Sequence, residues 1–391
     1  MEKIRPVKLK DSFYINEKYS FSHKVYWYHF SIPDVTDRYF SSIKIDRMIY
    51  DLKHNDAFFV FDHSMDYTVQ SIFHTILKAL GILNLFKDNN ISLDRLIVLT
   101  PTPSVHFYQK SAVYDYVLVN EKKYDKKIYH HIFFNSLWEN AQLSIPRNPV
   151  TDYIKTLDYN KAPQAHFLTF GRRDSINRRL INYFLHSNNL FSKGFVSHQR
   201  VVDDFIVKSK SEYKNQVRML ASRSDFNAKD YLTFGYKKHF LDDTQNKDIS
   251  AIDYAFYKKH SSISCFDLVS ETDVQNNLFV TEKVLKPIMH RKPFMVSGSA
   301  KTLCLLKNLG FQTFESLFDE SYDNELVFYD RVCMIFENIK YFCSLSLDDC
   351  YRKMQSIDEV LIHNQKHFLE TDWSFNVDKN IQKRIDEVVN V

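Results

Sequence analysis

Three consecutive residues, Thr281, Glu282 and Lys283, combine a helix-capping hydroxyl, a carboxylate and an ammonium. They stand ahead of an amphipathic run in LFVTEKVLKPIMHRKPFMVSGS (Leu278 to Ser299), where Val284, Leu285, Ile288 and Met289 recur at helical spacing. Thr281 is a good N-cap type, so Glu282 and Lys283 fall in the first turn of a helix, where free backbone N–H groups and the helix dipole favour an anion. Pro287 lies close enough to the helix start to be tolerated. Pro293 to Gly298 then reads as turn, strand and turn. A helix start with a cation beside it, feeding a buried strand, can hold phosphate. Glu282 can accept both hydroxyls of a ribose, and Lys283 can neutralise a diphosphate as it departs. Neighbouring Glu and Lys are also common on solvated helix faces. The acidic Glu271 and Asp273 upstream and the apolar strand downstream single this pair out.

Four arginines form a second basic group. Arg172, Arg173, Arg178 and Arg179 surround a turn between a predicted strand, Ala165 to Phe170, and a predicted helix, Arg178 to His186, with Gly171 to Asn177 as the loop. A guanidinium grips phosphate through a planar fork of donors, and doubly wound sheets bind ligands beyond the carboxyl ends of their strands. Any one of these arginines would also suit a solvated helix face. Other phosphate and metal signatures are missing: there is no G-x-G-x-x-G, G-x-x-x-x-G-K-[ST] or H-E-x-x-H. Asp-x-Asp, a common divalent-ion motif, is absent too, Glu271-Thr272-Asp273 coming nearest. In the first half, Asp62, His63 and Asp66 follow an apolar strand, and each is a candidate general base. Asp62 could equally cap the next helix, and a lone His is usually structural.

Elements of alternating type must position these groups. With 391 residues the chain is long enough for two domains, expected at 1–160 and 161–391, with breaks near Ser144 to Pro149 and at Pro163. In the first, Ala57 to Phe61 is a buried strand. A helical pattern follows through Val69, Ile72, Phe73, Ile76, Leu77 and Leu80, with Gly81 as its C-cap. Arg95 to Thr100 is a second strand, stopped by Pro101 and Pro103, and Val113 to Val119 another. In the second, Ser264 to Ser270 is a strand and the tail from about Glu325 is helical. This βαβ order predicts two Rossmann-like, doubly wound α/β domains facing each other across a cleft, the helical tail belonging to the second.

Composition excludes some classes and leaves others open. Apolar content of 44% with 26% charged residues fits a globular protein, and no run approaches the ~20 apolar residues of a membrane span. MEKIRPVKLKDSFY lacks the apolar core of a signal peptide, so a cytoplasmic location is expected. Cysteines 265, 304, 333, 343 and 350 are odd in number and without C-x-x-C spacing, which predicts reduced, buried thiols. A net charge of +4 suits an anionic substrate or weak attraction to nucleic acid and is diagnostic of neither. The 6 glycines against 33 Phe and 24 Tyr suggest an AT-rich genome.

VSETDVQNNLFVTEKVLKPIMHRKPFMVSGS resembles the donor-binding signature of the α-1,3-fucosyltransferase family and of related phage and viral glycosyltransferases with the two-domain GT-B fold. The likeness spans roughly residues 165–370, and Leu309 to Phe314, Phe318 to Asp323 and His363 to Phe368 resemble phage-type members. The resemblance implies that Glu282 binds ribose, Lys283 binds phosphate, Arg179 meets the donor diphosphate and Glu271 lies near the sugar, a catalytic candidate; Arg172 and Arg178 from the basic group and Thr281 complete the expected donor-binding set. Val269-Ser270-Glu271-Thr272 stands where the fucosyltransferases have Phe-Glu-Asn-Ser, so fucose itself is not implied. The implied reaction moves a sugar from a UDP- or GDP-sugar donor to an acceptor hydroxyl without a metal. The acceptor is a glycan or a modified base such as 5-hydroxymethylcytosine in phage DNA, which Lys122 to Lys127 and Lys208 to Lys214 could contact. The alternative from another class is a non-catalytic binding protein that retains the fold.

Overall fold

The computed structural model describes residues 21–29, 42–62, 82–100, 130–133, 161–201 apart from 174, 218–241 apart from 219, 236 and 240, 254–371 apart from 272, 273, 275–277 and 279, and 373–390. The chain divides into two compact units, Met1–Asn140 with Asp372–Val391, and Ala141–Thr371.

The first unit is built on a parallel sheet of strands β1 (Val25–His29), β2 (Phe58–Asp62), β3 (Leu96–Thr100) and β4 (His130–Phe133), in that spatial order. Helix α1 (Ser42–His54) connects β1 to β2, and α2 (Ile82–Asp88) precedes β3. β2 reads as one apolar run because both its faces are covered. Side chains alternate across a strand, so Phe59 points one way and meets Phe86 of α2 edge-on at 6.2 Å between ring centres. Phe58 and Val60 point the other way, where with Val25 and Ile97 they form a core with Ile381 and Ile385 of the final helix, Trp373–Val389. Ser22 and Gln382 fasten that contact through bonds of 2.9 and 2.6 Å. The helical tail is thus split. Its last helix, which the sequence pattern assigns to the second domain, closes the core of the first. Among the described strands the order runs straight from β1 to β4 without reversal, so the double winding expected of this domain is not seen in them.

In the second unit, β5 (Ala165–Arg173), β6 (Gly194–Val201), β7 (Ser264–Ser270) and β8 (Phe294–Ser297) form a parallel sheet in the order β6-β5-β7-β8. The helices of this unit are α3 (Ile176–Ser187), α4 (Ala228–Phe234), α5 (Tyr254–Ser261), α6 (Glu282–Met289), α7 (Thr302–Asn308), α8 (Phe328–Ser344), α9 (Leu347–Gln355) and α10 (Asp358–Glu370). Strand succession runs outward from β5 to β6, then resumes on the other side of β5 with β7 and β8. By the right-handed crossover rule, connections running in opposite directions put α3 and α6 on opposite faces, the topology in which a crevice is expected between the carboxyl ends of β5 and β7. All residues of β7 and β8 are buried. Phe266 packs on Phe318 and Phe342, each at 5.7 Å between ring centres, while Asp267 on the opposite face meets Tyr257 of α5.

The loop predicted at Gly171 to Asn177 is shorter than expected. β5 continues to Arg173 because its pairing with β6 extends to Arg173 opposite Val201, with a bulge between Gly171 and Arg173. Ser175 caps α3, which opens at Ile176 rather than Arg178. Cys265, Cys343 and Cys350 are buried free thiols as predicted, whereas Cys304 is exposed and Cys333 half-buried. No helix among the described residues is long and apolar enough to cross a membrane.

Candidate anion-binding site at the strand ends

Thr281, Lys283 and Glu271 are joined in one network at the end of β7. The Thr281 hydroxyl accepts from the Lys283 backbone N–H at 3.3 Å, the N-cap bond that starts α6. It also lies 2.8 Å from each oxygen of Glu271, and the Thr281 N–H donates to Glu271 Oε1 at 3.0 Å. The Lys283 ammonium donates to Thr281 Oγ1 at 2.9 Å and stands 3.5 Å from Glu271 Oε2. Glu271 is 1% exposed and the Lys283 side chain 24%. A buried carboxylate therefore holds a partly exposed lysine next to the first N–H groups of a helix. Thr281 is buried and caps α6 as its residue type predicts, and both Glu271 oxygens are already engaged.

The start of α3 is pinned to the same edge. Asn177, in its first turn and 0% exposed, donates from Nδ2 to the carbonyls of Ser297 at 2.7 Å and Glu271 at 3.0 Å, and accepts from the Ser297 hydroxyl at 2.6 Å. The turn carrying Arg178 and Arg179 is thereby joined to the ends of β7 and β8. Arg178 is buried, its Cδ 3.1 Å from where a side chain at Gly171 would begin and His198 Nδ1 3.2 Å from the same point. Glycine at 171 is what lets the arginine stem and the imidazole approach the strand so closely. Arg179 is only half-buried.

The third helix following a strand of this sheet is closed to ligands. The Asp323 carboxylate accepts from the N–H groups of Leu303 at 2.9 Å and Cys304 at 3.0 Å, so the protein's own anion fills the start of α7. Arg331 of α8 braces the segment between β7 and α6. Its buried guanidinium donates to the carbonyls of Gly298, at 3.0 Å, and of Val274 and Glu325. Burial lowers its pKa to about 10 despite the attraction of Asp323 and Glu325.

Asp267, four residues before Glu271 on β7, gives the unit a pH signature. Burial pushes its carboxyl up to about 7, and the opposing pull of the Tyr257 hydroxyl, Lys292 and Lys286 is too small to restore the usual value. Its Oδ1 meets no hydrogen-bond donor among the described residues. Because the folded pKa exceeds the ordinary 3.8 of the unfolded chain, the folded state holds the extra proton between those values, and Asp267's contribution to stability falls as pH rises from about 4 to about 7. Replacing Asp267 with Asn is expected to remove that slope: in melting curves the variant gains on the wild type across this interval and the difference levels off above it. A difference independent of pH would refute the assignment.

Several predicted site residues fall elsewhere. Asp62 ends β2, at the carboxyl edge of the first sheet, and only its strand position is described. His63, Asp66 and Asp273, the helix at 69–80, the strand at 113–119, the breaks at 144–149 and both lysine segments at 122–127 and 208–214 lie outside the described residues. For Arg172, Arg173 and Glu282 the backbone element alone is described. Sequence patterns missed Asn177, Ser297 and Arg331. Asn177 stands two residues after the cap Ser175, a signal of helix start only, and its partners are 94 and 120 residues away. Among the described residues no three His, Cys, Asp or Glu side chains gather as a metal-binding group.

No protein-family model matches the chain, and no curated protein sequence matches it. A crystal structure of the DNA-modifying enzyme β-glucosyltransferase, determined in the presence and absence of its substrate uridine diphosphoglucose, is similar over 91% of this chain and 95% of its own, at 10% identity and a TM-score of 0.37.

Proposed function

We propose that the chain is a glycosyltransferase whose second unit binds a UDP- or GDP-sugar at the carboxyl ends of β5 and β7. The observation that carries this reading is the tethered Lys283 ammonium at the start of α6, beside the crevice where strand order reverses and where Asn177 pins the start of α3. Diphosphate is the chemistry that suits two helix starts with Lys283 and Arg179 in their first turns. In the reaction the acceptor oxygen attacks the anomeric carbon and the bond from that carbon to the diphosphate oxygen breaks. The electron pair leaves with the diphosphate, and the acceptor proton passes to a base of the first unit, for which Asp62, His63 and Asp66 are the candidates. Lys283 and Arg179 meet the charge that develops on the leaving group, so the reading calls for no divalent ion. Glu282 takes the ribose hydroxyls, and Arg172 and Arg178 add positive charge beside the diphosphate. Glu271, with both oxygens engaged, acts by positioning Lys283 rather than as a base.

A nucleotide panel tests the donor half of this reading. UDP or GDP at about a hundredfold above Kd is expected to raise the melting temperature by roughly 5 °C or more, with no added metal. Transfer of labelled sugar to duplex DNA containing 5-hydroxymethylcytosine, or failing that to a glycan, then identifies the acceptor. No shift with either nucleotide would sink the proposal.

A further inference from the structure

Resting on the donor reading above, we infer that Asn177 is a positioning residue which sets the distance between the two diphosphate-facing helix starts. Glu271 and Ser297 leave neighbouring strands, joined by the Glu271 N–H bond to the Ser297 carbonyl at 2.9 Å. Glu271 holds Thr281 and Lys283, the start of α6. Asn177 belongs to the start of α3 on the opposite face of the sheet, and its amide donates to the carbonyls of both Glu271 and Ser297. One side chain therefore connects α3, carrying Arg178 and Arg179, with the very residue that tethers Lys283. Its own oxygen is engaged by the Ser297 hydroxyl, so the amide cannot rotate without breaking all three bonds at once. Side-chain amide is the functional group this junction needs: two N–H donors for two carbonyls and one acceptor for a hydroxyl. Isosteric carboxylate lacks both donors, and the shorter side chains of Ser and Ala cannot bridge the same three partners. An ion spanning two phosphates feels small displacements of its cations steeply, because charge and hydrogen-bond geometry must both fit.

The test compares UDP and GDP affinities of wild type, Asn177→Asp, Asn177→Ala and Ser297→Ala by calorimetry on folded protein, well below each melting transition. Asn177→Asp and Asn177→Ala are expected to weaken binding about tenfold or more at neutral pH, and Ser297→Ala, which leaves both carbonyl bonds intact, about threefold. The Asp variant adds a pH signature that a general loss of stability would not give. Beside two carbonyls the introduced carboxyl has a raised pKa, and once protonated it regains a donor, so its affinity relative to wild type recovers as pH falls. Asn177→Ala keeps a constant ratio to wild type over the same range. Wild type binding neither nucleotide overturns the donor reading and this inference with it. Wild-type binding with undiminished affinity in the Asn177 variants overturns the inference alone. If those variants do not fold, equal affinity in Ser297→Ala does the same.

Discussion

Lys283→Ala is expected to abolish the rise in melting temperature with UDP or GDP and to cut sugar transfer by about 10²- to 10³-fold, the usual effect of removing one fixed donor from a site of developing negative charge. Lys283 is the more exposed member of its ion pair, at 24% against 1% for Glu271. It is held from behind by Thr281 and Glu271, so it can approach a ligand without first being ordered. The fold should tolerate the change. Glu271 keeps the Thr281 hydroxyl and N–H, so the carboxylate stays hydrogen-bonded once the cation is gone. Calorimetry with each nucleotide, paired with melting curves of the unliganded variant, separates the two effects. Undiminished nucleotide affinity in a folded Lys283→Ala protein would remove the lysine from the site.

The second large effect is structural. Arg331→Met is expected to destabilise the second unit by about 3–5 kcal/mol, since it leaves the carbonyls of Val274, Gly298 and Glu325 without their shared donor in a buried site. In melting temperature that is on the order of 10 °C. Arg331→Lys should recover little, because one ammonium cannot reproduce a planar fork directed at three carbonyls. Hydrogen exchange gives a local readout: the Thr281 amide, bonded to Glu271, should lose protection in either variant as the preceding segment loosens. If both variants melt like the wild type, the bracing role is wrong.

What the sequence made legible follows from how each element is buried. Phe58 to Phe61, Leu96 to Leu99 and Phe294 to Val296 are unbroken apolar runs, and strands covered on both faces produce that pattern. The α6 start was legible for a local reason: Thr281 caps it through its own side chain, two residues from its partner. β6 was not, because Gly194 to Val201 includes Ser, His, Gln and Arg, as the edge strand of its sheet can. Arg172 and Arg173 look like loop residues from their charge, yet backbone pairing with β6 carries the strand through them. The Thr281–Lys283 motif pointed to an anion, but the engagement of Glu271 depends on where β7 ends in space. Asn177 and Arg331 donate only to backbone carbonyls, most of them far away in sequence, and carbonyls leave no trace in residue type. The tail showed its helical period but not its destination, since Ile381 and Ile385 would serve either core equally well.

That destination bears on how the molecule is made. Ile381 and Ile385 complete the apolar cluster with Val25, Phe58, Val60 and Ile97, so that cluster cannot close until the last helix has been synthesised. The first unit therefore draws on segments that lie on either side of the second, which is continuous from Ala141 to Thr371.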